Sequence, residues 1–269
     1  MIIDFHTHVF PDRIAAKTVG LLAEKGGLSP YSDGSVKGLL SKMTESGVDM
    51  SVVLPVMTSP GQFDSITAFA TEINSLYGST RPALISFGGI HPLCEDLPGK
   101  MKRIKESRLL GVKIHPDYQE TFIDDEKYEE ILLLAKELDL IVVTHTGRDA
   151  GFRDRPIRCT PERVLRLIRR VGHSKFVLAH FGANEMYREA IDEIAGEDVY
   201  IDTALNLCEI GGENFRRLVK RHGEDRILFA TDSPWSDQKR DAELIRSFKL
   251  GGETEEKIFS LNAKKLLGF

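Results

Sequence analysis

The chain begins with Met1-Ile2-Ile3-Asp4-Phe5-His6-Thr7-His8, an apolar run that ends in two histidines separated by one residue. Its β-branched and aromatic residues predict a strand over Met1–Phe5. In an open doubly wound sheet that binds dinucleotides, the first strand is usually followed by a glycine-rich phosphate turn. In this chain the first strand is followed by His6 and His8 instead, so the sequence does not support a dinucleotide site.

Seven further apolar runs of strand length follow, separated by stretches with helical spacing. The eight predicted strands are Met1–Phe5, Met50–Val56, Ala83–Ile90, Gly111–His115, Leu140–His145, Lys175–His180, Asp198–Asp202 and Arg226–Thr231. Strands separated by helices are expected to be parallel, with right-handed crossovers. Eight such units in 269 residues predict an α/β fold, a single (β/α)8 TIM barrel over residues 1–269 with its active site at the C-terminal rim.

Capping residues mark the starts of several predicted helices. They are Ser35 before Val36–Glu45, Asp64 before a helix reaching Leu76, Asp124 before Glu126–Leu138, and Thr160 before Pro161-Glu162. Two more helices are predicted over Asp237–Phe248 and Glu253–Leu267. Lys25–Gly34 is rich in Gly, Ser and Pro, which predicts an extended first βα loop able to cover an active site.

The composition limits the classes of partner. With 36 Lys and Arg against 41 Asp and Glu, the net charge of −5 gives no general electrostatic reason to bind nucleic acid or an anionic membrane. Apolar runs are far shorter than a bilayer span, the N-terminal residues do not resemble a signal peptide, and the three cysteines suit free thiols. We therefore expect a cytoplasmic protein with a small-molecule partner.

Histidines cluster at the ends of the predicted strands. Six of the eight occupy such positions, namely His6, His8, His91, His115, His145 and His180. The predicted eighth strand is followed by Asp232. Catalytic groups of a TIM barrel lie at the C-terminal ends of its strands, so these side chains are expected to converge on one rim. A single buried histidine or capping aspartate is commonly structural, whereas convergence of the set predicts a functional site.

The set has the composition of a metal site. His6 and His8 are two residues apart on one strand, so both imidazoles are expected to point to the same side. With His145 and the carboxylate of Asp232, they form three nitrogen donors and one oxygen donor suited to a divalent metal such as zinc. One coordination position would stay open for water.

This ordered set resembles the metal site of the amidohydrolase superfamily. The segments Gly111-Val-Lys-Ile-His-Pro116, Leu178-Ala-His-Phe-Gly-Ala183 and Ala230-Thr-Asp-Ser-Pro-Trp235 resemble its amidohydrolase-related (amidohydrolase 2) branch of TIM-barrel hydrolases, which also contains non-oxidative decarboxylases. The resemblance implies one divalent metal, with zinc expected and manganese, iron or nickel as alternatives. The metal ligands it implies are His6, His8, His145 and Asp232. It also implies catalytic roles for Asp232, as general base and proton shuttle, and for His180, beside the metal-bound water.

The predicted fourth strand carries two ambiguous residues. In binuclear members of the superfamily, a lysine at this strand is carboxylated and bridges two metals, and Lys113 lies on the matching strand. His115 comes two residues later on the same side and could instead be the outermost inward group. Lys113 could then pair with a buried acid such as Asp4 or orient the substrate. His180, Lys113 and His115 are thus candidates for a second metal or for substrate contact.

An arginine-rich segment follows the predicted fifth strand. Residues 148–170 contain eight arginines and three acids, a local charge of +5 in a chain of −5. Arg148 and Arg153, with Arg155 and Arg158, are predicted to clamp a substrate carboxylate, since a guanidinium donates two parallel hydrogen bonds. Trp235 and Phe152 are predicted to form an apolar wall. The expected substrate is therefore a small anion.

Three functions remain open from the sequence. The leading hypothesis is a hydrolase in which an activated, metal-bound water attacks the carbonyl of an amide, lactone or ester. The first alternative is a non-oxidative, metal-dependent decarboxylase of a small carboxylic acid. The second is a barrel that binds metal and ligand without catalysis. The chain could form a homo-oligomer in each case.

Overall fold

A computed structural model describes residues 1–269 and shows nine parallel strands at the eight predicted positions. They are β1 Ile3–Thr7, β2 Met50–Val53, β3 Ala83–Ser86, β4 Gly88–Gly89, β5 Gly111–Ile114, β6 Ile141–Thr144, β7 Phe176–Leu178, β8 Tyr200–Asp202 and β9 Ile227–Leu228. The predicted strand Ala83–Ile90 is divided at Phe87. Its first half pairs with β2, and Gly88 then pairs with Val112 of β5.

The strands follow one another around the fold. The hydrogen-bonded orders are β1-β2-β3 and β4-β5-β6-β7-β8-β9. The chain after β9 returns to β1, where the Phe5 amide donates to the Phe229 carbonyl at 2.8 Å and the Asp232 amide donates to the His6 carbonyl at 2.8 Å. The last strand position thus lies beside the first, as the barrel prediction requires.

Helices connect the strands and close the chain. They are α1 Ala15–Gly26, α2 Val36–Ser46, α3 Phe63–Tyr77, α4 Leu97–Glu106, α5 Glu126–Glu137, α6 Pro161–Val171, α7 Tyr187–Glu193, α8 Leu207–His222, α9 Gln238–Ser247, α10 Gly252–Glu256 and α11 Asn262–Leu267. A π-helical turn, Lys257–Leu261, joins α10 to α11, so the predicted closing helix is continuous but not uniformly α-helical. None of the helices combines the length and apolar character that crossing a bilayer demands.

The predicted caps are partly confirmed. Ser35 and Thr160 accept hydrogen bonds from backbone amides of α2 and α6. The prediction for Asp124 is wrong, because the neighbouring Asp125 caps α5 while Asp124 pairs with arginines of α6. Asp64 also lies inside α3 instead of preceding it.

The predicted loop Lys25–Gly34 starts two residues too early. Lys25 and Gly26 form the last turn of α1, which ends at Gly27 in a left-handed conformation. Beyond it, the Tyr31 amide donates to the Pro234 carbonyl at 2.7 Å. The loop is therefore tied to the segment that follows β9, at the C-terminal rim.

Apolar side chains form two packed layers. The larger cluster lies between strands and helices and includes Val112 and Ile114 of β5. The smaller cluster joins strands around the sheet with α11 and includes Ile141 and Val143 of β6. Because side chains alternate along a strand, Lys113 points away from the outer layer.

We expect His222 to make stability depend on pH. This imidazole at the end of α8 donates from Nε2 to the Val199 carbonyl and accepts from the Gly196 amide at Nδ1. Burial lowers its pKa from 6.5 to about 4, so the unfolded chain binds a proton more readily, and stability falls as pH drops below 6.5. The free energy of unfolding should lose roughly 2 kcal/mol more in wild type than in His222→Gln between pH 7 and pH 5. Urea unfolding of both proteins at the two pH values measures this, and equal losses would contradict it.

Candidate metal centre

Three predicted ligands meet at the C-terminal rim. One donor atom each from His6, His8 and Asp232 lies within 4.8 Å of the others. The register of β1 on β2 shifts between Asp4 and Thr7, and irregularities of strand pairing can redirect side chains beside active sites. Asp232 adopts a left-handed backbone with φ 64°, a strained conformation for a residue other than glycine. The local backbone is therefore shaped around this cluster.

Hydrogen-bond partners fix the tautomer of three imidazoles. Nδ1 faces Asp202 Oδ2 at 2.8 Å in His6, the Leu54 carbonyl at 2.7 Å in His8 and the Ala204 carbonyl at 3.1 Å in His180. The two carbonyls and the ionised Asp202 carboxylate accept hydrogen bonds, so each Nδ1 carries a proton. Once a ring is neutral, its Nε2 offers a lone pair, which is the form in which histidine binds a metal.

The lone pairs face another acceptor. Oδ1 of Asp232 lies 2.9 Å from Nε2 of His8 and 3.3 Å from Nε2 of His6. An ionised carboxylate and a deprotonated ring nitrogen have no hydrogen to share. The Lys113 ammonium, 3.1 Å from Nε2 of His6, supplies one cation; a proton on Nε2 of His8, or a divalent metal bound by donors from three sides, would supply the other.

Burial keeps the deeper imidazoles neutral. It lowers the pKa of His6 and His145 well below the ordinary value and that of His180 to about 4. Asp202 is buried beneath the cluster, and its Oδ1 accepts from the backbone amides of His180 and Ala204. One carboxylate thereby positions two of the histidines.

Lys113 is a buried cation at the inner edge of the cluster. Its Nζ lies 3.1 Å from Nε2 of His6. Burial lowers the pKa of Lys113 to about 8, although the negative charges of Asp202 and Asp232 act to raise it. The suggested pairing with Asp4 is wrong, because Asp4 accepts hydrogen bonds from Thr231 and Gln238.

His145 belongs to a neighbouring group. Its Nδ1 lies 2.9 Å from Nε2 of His180, and its own Nε2 is buried without a hydrogen-bond partner. The His115 ring stacks on it at 4.3 Å between centroids and 10° between planes. Nε2 of His115 lies 3.3 Å from Oδ2 of Asp149. His115, His145 and Asp149 form a second set of donors within 4.8 Å of one another. His145 therefore lies outside the 4.8 Å set of His6, His8 and Asp232, and its role as a ligand of the same metal stays a prediction.

Both sets fit a divalent metal by their own chemistry. They offer imidazoles, carboxylates, and one buried nitrogen, His145 Nε2, left without a partner. Buried polar atoms are nearly always satisfied, so such an atom requires an explanation. A bound cation would supply one.

Each arginine of the predicted clamp lies near a carboxylate of the chain. Arg148 and Arg153 both approach Glu185, with the nearest atoms 3.6 and 2.7 Å apart. Arg155 pairs with Glu120 and Arg158 with Asp117. The sequence count of eight arginines and three acids included only acids within the segment, whereas these partners come from other parts of the chain.

Aromatic side chains line the rim beside the second set. Tyr118 packs edge-on against the His115 ring at 4.7 Å and against Phe152 at 4.8 Å. The ammonium of Lys25 lies 3.5 Å from the Phe152 centroid. Trp235, predicted as a wall, is half-buried after β9. Sequence reasoning missed Tyr118 and Asp149, although both follow strand-ending histidines by three or four residues.

Solved structures share this fold at low sequence identity. An uncharacterised TIM-barrel protein from Bordetella bronchiseptica is 18% identical, with a TM-score of 0.77 and coverage of 99% of this chain and 98% of that chain. The 5-carboxyvanillate decarboxylase from Sphingomonas paucimobilis is 17% identical, with a TM-score of 0.69 and coverage of 100% and 99%. A dihydroxybenzoic acid decarboxylase from Polaromonas sp. JS666, with bound manganese and the inhibitor 2-nitroresorcinol, is 14% identical, with a TM-score of 0.73 and coverage of 99% and 96%. These neighbours confirm the predicted TIM-barrel fold.

Family membership rests on the sequence itself. No curated protein sequence matches this chain. The Amidohydrolase family model Amidohydro_2 matches residues 3–269, which is nearly the full length, and the match confirms the resemblance found in the strand-ending motifs. The chain therefore belongs to the Amidohydrolase family.

Proposed function

We propose that this protein is a metal-dependent, non-oxidative decarboxylase of a small carboxylic acid. The observation that carries the proposal is the cluster of acceptors His6 Nε2, His8 Nε2 and Asp232 Oδ1 at the C-terminal rim. Structural neighbours that act on dihydroxybenzoic acid and 5-carboxyvanillate favour decarboxylation over the hydrolysis that we placed first from the sequence.

In this proposal, His6, His8 and Asp232 hold a divalent metal, with Mn²⁺ or Zn²⁺ as the candidates. When bound, the ion acts as a Lewis acid that binds the anionic substrate and stabilises negative charge. Asp202 fixes the ring of His6 from behind, and the Leu54 carbonyl does the same for His8. Mutation of a residue that hydrogen-bonds to a metal ligand in this way commonly lowers metal affinity or activity by about 10–100-fold.

Decarboxylation breaks one carbon–carbon bond and forms one carbon–hydrogen bond. The electron pair stays on the substrate carbon, carbon dioxide leaves, and a proton replaces it. We assign this proton transfer to Asp232, whose Oδ1 faces both imidazoles; the ionised carboxylate would take up a proton from solvent and deliver it to the substrate carbon. His180 is adjacent, but its Nδ1 proton is held by the Ala204 carbonyl, so it is better placed to orient the substrate.

The substrate is expected to be an aromatic or similarly flat carboxylate. Tyr118 provides a half-buried aromatic face beside His115 at the rim, and Trp235 provides another after β9. Flat rings pack favourably on such side chains. Because the arginines pair with acids, the positive charge for the substrate carboxylate would come from the ion held by His6, His8 and Asp232.

Reaction products test this proposal. Protein loaded with Mn²⁺ or Zn²⁺ should release carbon dioxide from at least one member of a panel of hydroxybenzoates that includes 2,6-dihydroxybenzoate and 5-carboxyvanillate. In D₂O, deuterium should appear at the vacated carbon, and chelation should stop the reaction until metal is restored. Hydrolysis of amides, lactones or esters without carbon dioxide release would favour the hydrolase instead.

A further inference from the structure

We propose that Lys25 determines substrate specificity by pairing with a second anionic group of the substrate, so that flat dicarboxylates are bound in preference to monocarboxylates. The inference rests on the proposed function, in which an ion at the rim binds the first carboxylate. Lys25 lies in the last turn of α1, the helix that follows β1 in the chain. Its side chain is the group assigned to the second anion.

The side chain of Lys25 extends over the turn Ala150–Phe152 at the rim. A methyl group at Gly151 would lie 3.4 Å from Cδ of Lys25, so the aliphatic part of the side chain packs on this turn. The ammonium lies 3.5 Å from the Phe152 centroid and 4.9 Å from the Tyr118 centroid. Cations are attracted to the negative faces of aromatic rings. Packing and cation–π contacts therefore hold the ammonium beside these two aromatic residues.

A row of rings connects this ammonium to the histidines of the site. Phe152 packs edge-on against Tyr118 at 4.8 Å, and Tyr118 packs edge-on against His115 at 4.7 Å. The His115 ring in turn stacks on that of His145. Lys25 is exposed, Tyr118 is half-buried and both histidines are buried, so the row runs from solvent into the rim. A flat substrate that packs along Tyr118 would have one end toward the histidines and the other toward Lys25.

The charge of Lys25 is available to a substrate. Its ammonium contacts aromatic rings instead of a carboxylate, whereas Arg148 and Arg153 both approach Glu185. A lysine ammonium has three donors on a flexible stem, so it can turn from the rings to an anion without movement of the backbone. Its hydrogen bond to a carboxylate is charge-assisted and stronger than one between neutral groups. A second carboxylate would therefore be bound in preference to a neutral group of the same shape.

Ligand binding tests this inference without requiring turnover. The probes are the three benzenedicarboxylates, each compared with the ligand in which a carboxamide replaces one carboxylate. In calorimetric titrations of wild-type protein at saturating Mn²⁺, at least one dicarboxylate should have a Kd about tenfold lower than that of its carboxamide, since one hydrogen bond to a charged group commonly supplies this discrimination. Lys25→Met removes the charge and should bind both members of that pair equally. Lys25→Arg should keep most of the preference.

Lys17→Met is the matched control, because Lys17 is an exposed lysine of the same helix and lies over neither ring. It should show the wild-type preference. The inference is overturned if wild type binds neither ligand of any pair or shows no preference, or if Lys25→Met weakens both ligands equally and keeps the preference.

Carbon dioxide release is measured separately from ligand binding. Release from a monocarboxylate by a wild-type protein that shows no preference for dicarboxylates would support the proposed reaction while the role of Lys25 fails. A preference that disappears in Lys25→Met, without carbon dioxide release from any carboxylate, would support the contact with Lys25 while the proposed reaction fails.

Discussion

Asp232→Asn is expected to lower the rate of carbon dioxide release at saturating Mn²⁺ by roughly 1,000-fold. The change removes the proton carrier, and general acid–base catalysis typically contributes about 10²–10⁴-fold. It also replaces the only carboxylate that faces the lone pairs of His6 and His8, so metal affinity should fall more than tenfold. Product formation with excess Mn²⁺ separates the two effects, because saturation restores the metal but not the proton transfer.

Asp198→Asn provides the control. Asp198 precedes β8 at the opposite end of the strands and pairs with Arg226 at the surface, so its loss should leave both activity and Mn²⁺ affinity near wild type. If Asp232→Asn retained most of its activity once Mn²⁺ was in excess, the proton would have to come from another group. His180 would then be the next candidate.

The strand positions could be predicted because apolar runs of strand length alternate with capped helices. All eight positions are present, although β3 and β4 divide one predicted strand. That division depends on a change of neighbour, from β2 to β5. Such a change is a property of the folded arrangement of the strands and has no local signal in the sequence.

The site could be predicted only as a set of converging histidines. Position along a strand brings His6, His8 and Asp232 together, but it does not reveal that His145 donates to His180 and groups with His115. The ion-pair partners of the arginines could not be predicted either, because Glu185, which approaches Arg148 and Arg153, lies in a distant loop. Tautomers and ion pairs depend on atoms that meet only after folding.

Lys113→Met is expected to destabilise the apo-protein by about 3 kcal/mol at pH 7. The Lys113 ammonium is a buried cation that interacts with the charges of Asp202 and Asp232, and removing one partner of a buried ionic group leaves the others uncompensated. The same change should tighten Mn²⁺ binding about tenfold or more, because it removes a positive charge from beside His6. Thermal unfolding with and without Mn²⁺ measures both quantities, since a ligand stabilises the folded state according to its affinity.

The sign of the metal effect separates the two roles considered for Lys113. An ammonium beside His6 competes with a metal, so Mn²⁺ should stabilise Lys113→Met by a larger increment than it stabilises wild type. A carboxylated lysine that bridges two ions would be a ligand, and its loss would make the increment smaller. Lys102→Met, on the exposed face of α4, controls for the loss of one positive charge and should show the wild-type increment. A smaller increment in Lys113→Met alone would therefore show that Lys113 binds metal instead of opposing it.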